Sequence, residues 1–352
     1  MTDPAGVAPI ANYDAVVCDL DGVVYRGDEA VPRAPTSLRD MTTLGVHVLY
    51  ATNNASRVPA EVAEHLRRLG VPTRDADVVT SAEAGAALVS RRVPAGAAVL
   101  ALGGDGVSWA LTREGLRPVS PTEISKEQGV TAVLQGLGRQ LTVADFEVAA
   151  RAIAEGAIWV VTNGDTTLPL QWGTAPGNGA YVDLLRTATG QSPMAAAGKP
   201  EAPLYDLAVE RLGCAKGRTL AVGDRLDTDI AGARAAGLDS AWVLTGVDSP
   251  SDLLATDLHP TYVIASLGEL LLPYAVPRAL GGTWRCASAT ARLDAGLLHL
   301  EPGDAQPIEV VRAGLAALVE HRDTPSPHPR DPAVLRAGGD VLDRVSARSA
   351  RD

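Results

Sequence analysis

Short apolar runs alternate with stretches of helical spacing along most of this chain. The run 13–19, Tyr-Asp-Ala-Val-Val-Cys-Asp, is apolar until it stops at an acid. A helix predicted to start near Pro35 follows, then a strand over 46–52, then a helix over 59–69 that ends before Gly70. The middle repeats the alternation, with strands over 98–102, 131–135 and 158–162 and helices over 82–90, 106–114, 143–155 and 179–189. Two more core strands are expected over 195–197 and 219–222, and strands over 240–244 and 262–265 close the unit. Strands separated by helices of this size predict an α/β fold, a parallel sheet covered on both faces. Ligands in such sheets bind beyond the carboxyl ends of the strands, where Asp19 and Thr52 both lie.

Past residue 277 the pattern changes. Residues 283–290 and 291–300 read as a short β-pair, and 307–321 has helical periodicity. Residues 323–332 form a proline-rich linker, and a last amphipathic helix is expected over 333–347. The chain contains no internal repeat.

Length and composition narrow the class. The 352 residues suffice for two or three domains, and 46% hydrophobic with 21% charged residues suits a soluble globular protein. No run of 18 or more apolar residues predicts a membrane span. The N-terminus lacks a basic region followed by an apolar run, so no signal peptide is expected. Cys18, Cys214 and Cys286 are far apart and odd in number, which suggests neither a disulfide framework nor a zinc site and fits the cytoplasm. A net charge of −11 argues against a nucleic-acid partner, which would need clustered Lys and Arg.

Four stretches carry candidate chemistry. The first is Asp19-Leu-Asp21-Gly22. A strand-end carboxylate can attack phosphorus, and a second acid two residues on can protonate the leaving oxygen and then activate water. A turn or a calcium loop is the plainer reading, but an EF-hand needs an acid and a glycine where Val23 and Val24 stand. The second is Thr52-Asn53-Asn54, whose hydroxyl and N–H groups suit phosphate oxygens and equally suit ordinary turn chemistry. The third is Lys199 in Gly198-Lys-Pro-Glu201, a point charge for phosphate or a solvated surface lysine. The fourth is Gly223-Asp224-Arg-Leu-Asp-Thr-Asp229. Asp224 offers a hard oxygen for Mg²⁺, and Asp229, one turn into the next helix, could orient a metal-bound water. The alternative is a pair of N-cap acids. Each stretch is a modest signal, and their order and strand-end placement make the joint signal strong.

Asp19-x-Asp21, Thr52, Lys199 and Gly223-Asp224…Asp229 resemble, in order, the four motifs of the haloacid dehalogenase superfamily, over residues 13–272. The second aspartate is absent from its dehalogenases, so the resemblance implies a phosphatase on a Rossmann-like core. It implies Asp19 as nucleophile and Asp21 as general acid/base. It also implies Mg²⁺ held by Asp19, Asp224 and the Asp21 carbonyl, with Asp229 outside that set. Thr52, Asn53 and Lys199 would bind phosphate. The 146 residues between Thr52 and Lys199 leave room for a large cap. That spacing is similar to subfamily IIA, which carries an α/β C2-type cap there and includes 4-nitrophenyl and pyridoxal phosphatases. DLDGVVYRG, ATNNASR, VTNGD and PGNGAYVDLLRTATG match as well.

The domains implied are a core over 1–81 and 194–276, a cap over 82–193 and a small α/β extension over 277–352, similar to an acetyltransferase fragment. Lacking a glycine-rich pyrophosphate loop, that extension reads as an appendage packed on the core or on a partner. Within the subfamily the overall look is similar to actinobacterial glycerol-3-phosphate phosphatases. Glycerol 3-phosphate is the implied small-molecule substrate, with phosphoglycolate, pyridoxal phosphate, nucleotides or phosphoryl transfer to an alcohol as alternatives. A homodimer through the cap is implied too. The loop 165–172 is the candidate lining for the leaving group, through Asp165, Leu168, Gln171 and Trp172, and Leu168 suits pyridoxal phosphate poorly.

Three other features are set aside. Leu102-Gly-Gly-Asp-Gly106 lacks the third glycine of a dinucleotide loop and reads as a cap turn. The six histidines do not cluster, and no G-x-S-x-G is present. Cys18 is read as a small apolar filler facing away from Asp19.

Overall fold

The structure, a computed structural model, describes residues 6–124, 129–170, 173–325 and 331–349. The chain forms two compact units. One comprises Met1–Val48, Ala215–Arg234 and Leu238–Asp352; the other comprises Leu49–Cys214 and Ala235–Gly237. Among the described residues, no helix is long and apolar enough to cross a membrane.

In the first unit, parallel strands lie in the order Tyr262–Ile264, Asp239–Val243, Thr219–Gly223, Ala15–Cys18. Every residue of Ala15–Cys18 and Thr219–Gly223 is buried, which is why both read as unbroken apolar runs. Cys18 is in register with Val222, so the two chains leave the sheet at the same edge. A buried cluster joins Leu226, Ile230, Trp242, Leu253 and Leu254 with Ile308, Val311, Leu315, Leu318 and Leu342 from the C-terminal helices Pro307–Asp323 and Pro332–Ser349.

The extension corrects the expected β-pair. Arg278–Leu280, Thr283–Cys286, Ala289–Asp294 and Leu297–Glu301 form a four-stranded antiparallel meander. Ala289 and Ala291 are buried and alternate with more exposed neighbours, as a one-sided strand requires. The turns around it use left-handed Ala287 (φ 50°) and Ala295 (φ 47°). Alanine is not a turn signal, so the sequence pattern put the break at residues 290–291 instead.

In the second unit, five parallel strands run in the order Ala195–Ala196, Ile158–Val161, Ala132–Gln135, Ala98–Leu102, Arg117–Val119. Val99, Ala101, Leu134 and Val160 bury one face against Ala82, Ala86, Val89 and Leu111. Leu100, Leu102, Val133 and Val161 bury the other against Phe146, Ile153, Val182 and Leu185. The helix Ser81–Ser90 begins with a capping box: Thr80 accepts from the Glu83 N–H, and the Glu83 carboxylate accepts from Thr80.

Two expectations are corrected here. The strand at 195 pairs with Ile158–Val161 and belongs to this five-stranded sheet, not to the sheet of Ala15–Cys18. With two paired residues it carries no pattern of its own. The expected loop 165–172 contains a strand: Thr167–Leu170 pairs antiparallel with Gly173–Pro176, and residues 171 and 172 lie outside the described residues. In the same unit Val78–Thr80 pairs in parallel with the 50–52 end of His47–Thr52.

Candidate active site

Asp19 and Asp224 each stand just past a buried strand, Ala15–Cys18 and Thr219–Gly223. The Asp19 N–H still continues the ladder, donating to Val222 O at 2.8 Å. Asp229 lies in a single π-turn, Leu226–Ile230, rather than one turn into a regular helix. The wide turn folds its carboxylate back, where Oδ2 accepts from the Arg225 N–H at 3.1 Å. One carboxylate oxygen each from Asp19, Asp224 and Asp229 lies within 4.8 Å of the others, with Asp224 and Asp229 buried.

Backbone and ring groups fix this cluster. Asp224 Oδ2 accepts from the Val247 N–H at 3.0 Å, and the Asp224 carbonyl accepts from Trp242 Nε1 at 2.9 Å. Leu226 N–H donates to Asp248 at 2.6 Å, and Thr245 Oγ1 donates to the Gly22 carbonyl at 2.8 Å. Two glycines are required by close approach. A Cβ on Gly246 would stand 1.7 Å from Asp224 Oδ2, and one on Gly22 would stand 2.4 Å from it, with Gly22 also at φ +84°.

Three carboxylates at this range repel by roughly 3–4 kcal/mol per ionised pair at an effective dielectric near 20. A hard divalent cation relieves that repulsion, and three carboxylate oxygens are the donors it prefers. The residues present therefore fit a metal ion. The carboxylate of Asp21 is not in the trio; it is exposed on the turn where Gly22 N–H donates to Tyr25 O at 2.8 Å.

The second unit gathers the other residues. Thr52 ends the strand His47–Thr52, is buried, and accepts from the Asn54 N–H at 3.1 Å. Lys199 is buried, and its Nζ donates to Ala51 O at 3.2 Å. Asn53 is a hub. Its Oδ1 accepts from Lys199 N–H at 2.8 Å, and its Nδ2 donates to Lys199 O at 2.9 Å and to Asp165 Oδ2 at 3.1 Å. Its carbonyl accepts from Ser81 Oγ and Asn163 Nδ2, each at 2.7 Å. Asn163 in turn accepts from Asp165 N–H and from Asn178 Nδ2. The Asn53 amide is thus engaged on both sides by protein.

Leu168 is half-buried in Thr167–Leu170; Gln171 and Trp172 lie outside the described residues. Sequence reading assigned no role to Asn163, Ser81, Trp242, Gly246 or Val247. Asn163 and Asn178 did fall inside matched stretches, VTNGD and PGNGAYVDLLRTATG. Trp242 and Gly246 carried no signal, because their relation to Asp224 exists only once the sheet has formed.

The strand-end acids and the family comparisons agree. The chain belongs to the haloacid dehalogenase-like hydrolases and is a metal-dependent phosphatase of that family. A haloacid dehalogenase-like hydrolase profile matches residues 16–117, and a HAD-hydrolase-like profile matches residues 196–270. D-glycerol 3-phosphate phosphatase of Mycobacterium tuberculosis is 44% identical over 260 residues, 73% of this chain and 71% of that protein. An acid sugar phosphatase of Staphylococcus aureus is 36% identical over 259 residues, 74% of this chain and 97% of the relative. A solved glycerol phosphate phosphatase from M. tuberculosis in complex with magnesium is similar at TM-score 0.78 and 36% identity, covering 95% of this chain and 98% of that one. A 4-nitrophenylphosphatase from Thermotoga maritima is similar at TM-score 0.67 and 29% identity, covering 74% and 97%. Likeness to the first of these structures therefore runs into the C-terminal extension.

Proposed function

We propose that the chain hydrolyses glycerol 3-phosphate to glycerol and phosphate with Mg²⁺, through an aspartyl-phosphate on Asp19. The observation that carries the chemistry is the convergence of Asp19, Asp224 and Asp229 at strand ends. The substrate rests on the likeness, in sequence and in solved structure, to the mycobacterial glycerol phosphate phosphatase. Asp19 attacks phosphorus, the bond to the leaving oxygen breaks, and Asp21 gives that oxygen its proton. Asp21 then takes a proton from water as the water attacks the aspartyl-phosphate. Asp19, Asp224 and the Asp21 carbonyl would hold the ion, with Asp229 beside them. When bound, Mg²⁺ offsets the charge of phosphate and carboxylates. Thr52, Asn53 and Lys199 are assigned to phosphate oxygens, Asn53 through its backbone N–H.

Residues 82–193 are assigned the choice of leaving group, with Asp165 and Leu168 nearest that task. The same reading carries a homodimer through the cap and a cytoplasmic location; light scattering and cell fractionation test these. Asp19→Asn should lower phosphate release by about 10⁴-fold or more, the scale for losing a nucleophile, with the melting temperature retained. Turnover within tenfold of wild type would refute the mechanism. A panel of both glycerol phosphate enantiomers, phosphoglycolate, pyridoxal phosphate, sugar phosphates and nucleotides tests the substrate. A higher kcat/KM for any other member would replace glycerol 3-phosphate.

A further inference from the structure

The extension over residues 277–352 has no role in the reaction just described. It is nevertheless built into the back of the acid cluster. Ile308, Val311, Leu315 and Leu318 of the helix Pro307–Asp323, and Leu342 of the helix Pro332–Ser349, share one buried cluster with Trp242, Leu226 and Ile230. Trp242 is fully buried, and its Nε1 donates to the Asp224 carbonyl. Leu226 and Ile230 are the two ends of the π-turn that holds Asp229.

Polar contacts anchor the same helices. Arg312 is buried, donates to Val263 O at 2.7 Å, pairs with Glu269 at 2.5 Å and stacks on the Tyr274 ring at 3.9 Å. Ser251 donates to Asp343 through its N–H at 3.0 Å and its hydroxyl at 2.7 Å. Arg322 donates to Leu253 O at 3.0 Å and also to Thr256 O. Arg312 is thus fastened to strand Tyr262–Ile264, and Ser251 and Leu253 belong to the helix Pro250–Leu254, which covers the same cluster.

We infer that the C-terminal extension is a brace for the metal loop, with Trp242 as its positioning residue, so that it sets Mg²⁺ affinity. This rests on the reading of Asp224 as a metal ligand. Groups that orient a ligand from behind commonly change metal affinity without touching the ion. Trp242→Phe keeps an aromatic ring but removes the N–H to Asp224 together with part of the buried indole, so its melting temperature is read beside its Mg²⁺ constant. Leu318→Ala loosens the brace at its far side, and Leu315→Val is a milder form should Leu318→Ala not fold.

The test is Mg²⁺ titration of substrate-free enzyme by calorimetry, with circular dichroism to confirm the fold. Trp242→Phe should weaken Mg²⁺ binding about tenfold, and the Leu variants roughly threefold to tenfold. KM for substrate at saturating Mg²⁺ should stay within twofold. A purely structural role would lower the melting temperature and leave the Mg²⁺ dissociation constant unchanged. An unchanged constant in Trp242→Phe, or in the folded Leu variant, overturns the inference. Asp224→Asn separates the two levels. If it binds Mg²⁺ normally, the assignment of the ligand fails; if it does not bind while Trp242→Phe binds normally, only the brace fails.

Discussion

Asp224 and Asn53 both follow the last residue of a parallel strand, yet their side chains are held by different means. Asp224 is enclosed by backbone: the Val247 N–H, the close faces of Gly22 and Gly246, and a carbonyl fixed by Trp242. Asn53 is held through its own amide, which bonds Lys199 on both sides of the peptide and Asp165 as well. A group gripped by backbone remains available to a ligand, while a group that does the gripping becomes scaffold. Two strand-end polar residues can therefore look alike in sequence and differ in kind.

The largest way to break this contrast is Gly246→Ala. The added methyl would meet Asp224 at a distance no real contact tolerates, so the loop must move. Overpacking of this sort costs about 1–3 kcal/mol, and displacement of Asp224 should weaken Mg²⁺ binding at least tenfold. Calorimetry reads it, and a normal Mg²⁺ constant would show that the backbone does not set Asp224. Asn53→Ala should act the other way. It leaves Lys199 N–H and Asp165 without the amide, lowers stability by about 1–3 kcal/mol and reduces kcat/KM, with Mg²⁺ binding unchanged. Loss of Mg²⁺ binding in that variant would erase the distinction.

The smallest effect concerns Asp248, which accepts from Leu226 at the start of the π-turn that holds Asp229. Burial holds its carboxyl above the usual carboxylate range, Asp227 and Asp252 add to this, and the Leu226 N–H works against it. An acid raised by folding prefers its proton in the folded state. Its stabilising contribution is whole below the unfolded value, about 3.9, and is lost as pH rises through the higher folded value. Asp248→Asn keeps an acceptor and removes the titration. Its melting temperature should therefore decline less than that of wild type as pH rises across that window; parallel melting curves would refute this.

Asp19 and Asp224 were legible in sequence because each follows a buried apolar run, and a fully buried strand leaves that mark. The helix Ser81–Ser90 was legible from its helical spacing, another local signal. What stayed hidden was long-range or too short to show a period. Trp242 meets Asp224 across 18 residues, and Gly246 shows only that a turn is allowed. The two-residue strand Ala195–Ala196 has no alternation from which to assign a sheet, and the turns on either side of Ala289–Asp294 place alanines, Ala287 and Ala295, in the left-handed region. The π-turn at Asp229 is likewise set by where Leu226 and Ile230 are buried, not by a local preference.

The pairing of Ala195–Ala196 with Ile158–Val161 has a practical meaning for building chimaeras. Lys199 lies three residues past that strand, so the lysine assigned to phosphate in our proposal follows directly on the sheet expected to choose the substrate. A graft cut at residues 82 and 193 would divide one hydrogen-bonded sheet and leave the lysine behind on the recipient. Junctions at Leu49 and Cys214 would move the sheet, Asn53 and Lys199 as one inherited block. Recombination between relatives of differing taste should then exchange selectivity and phosphate grip together.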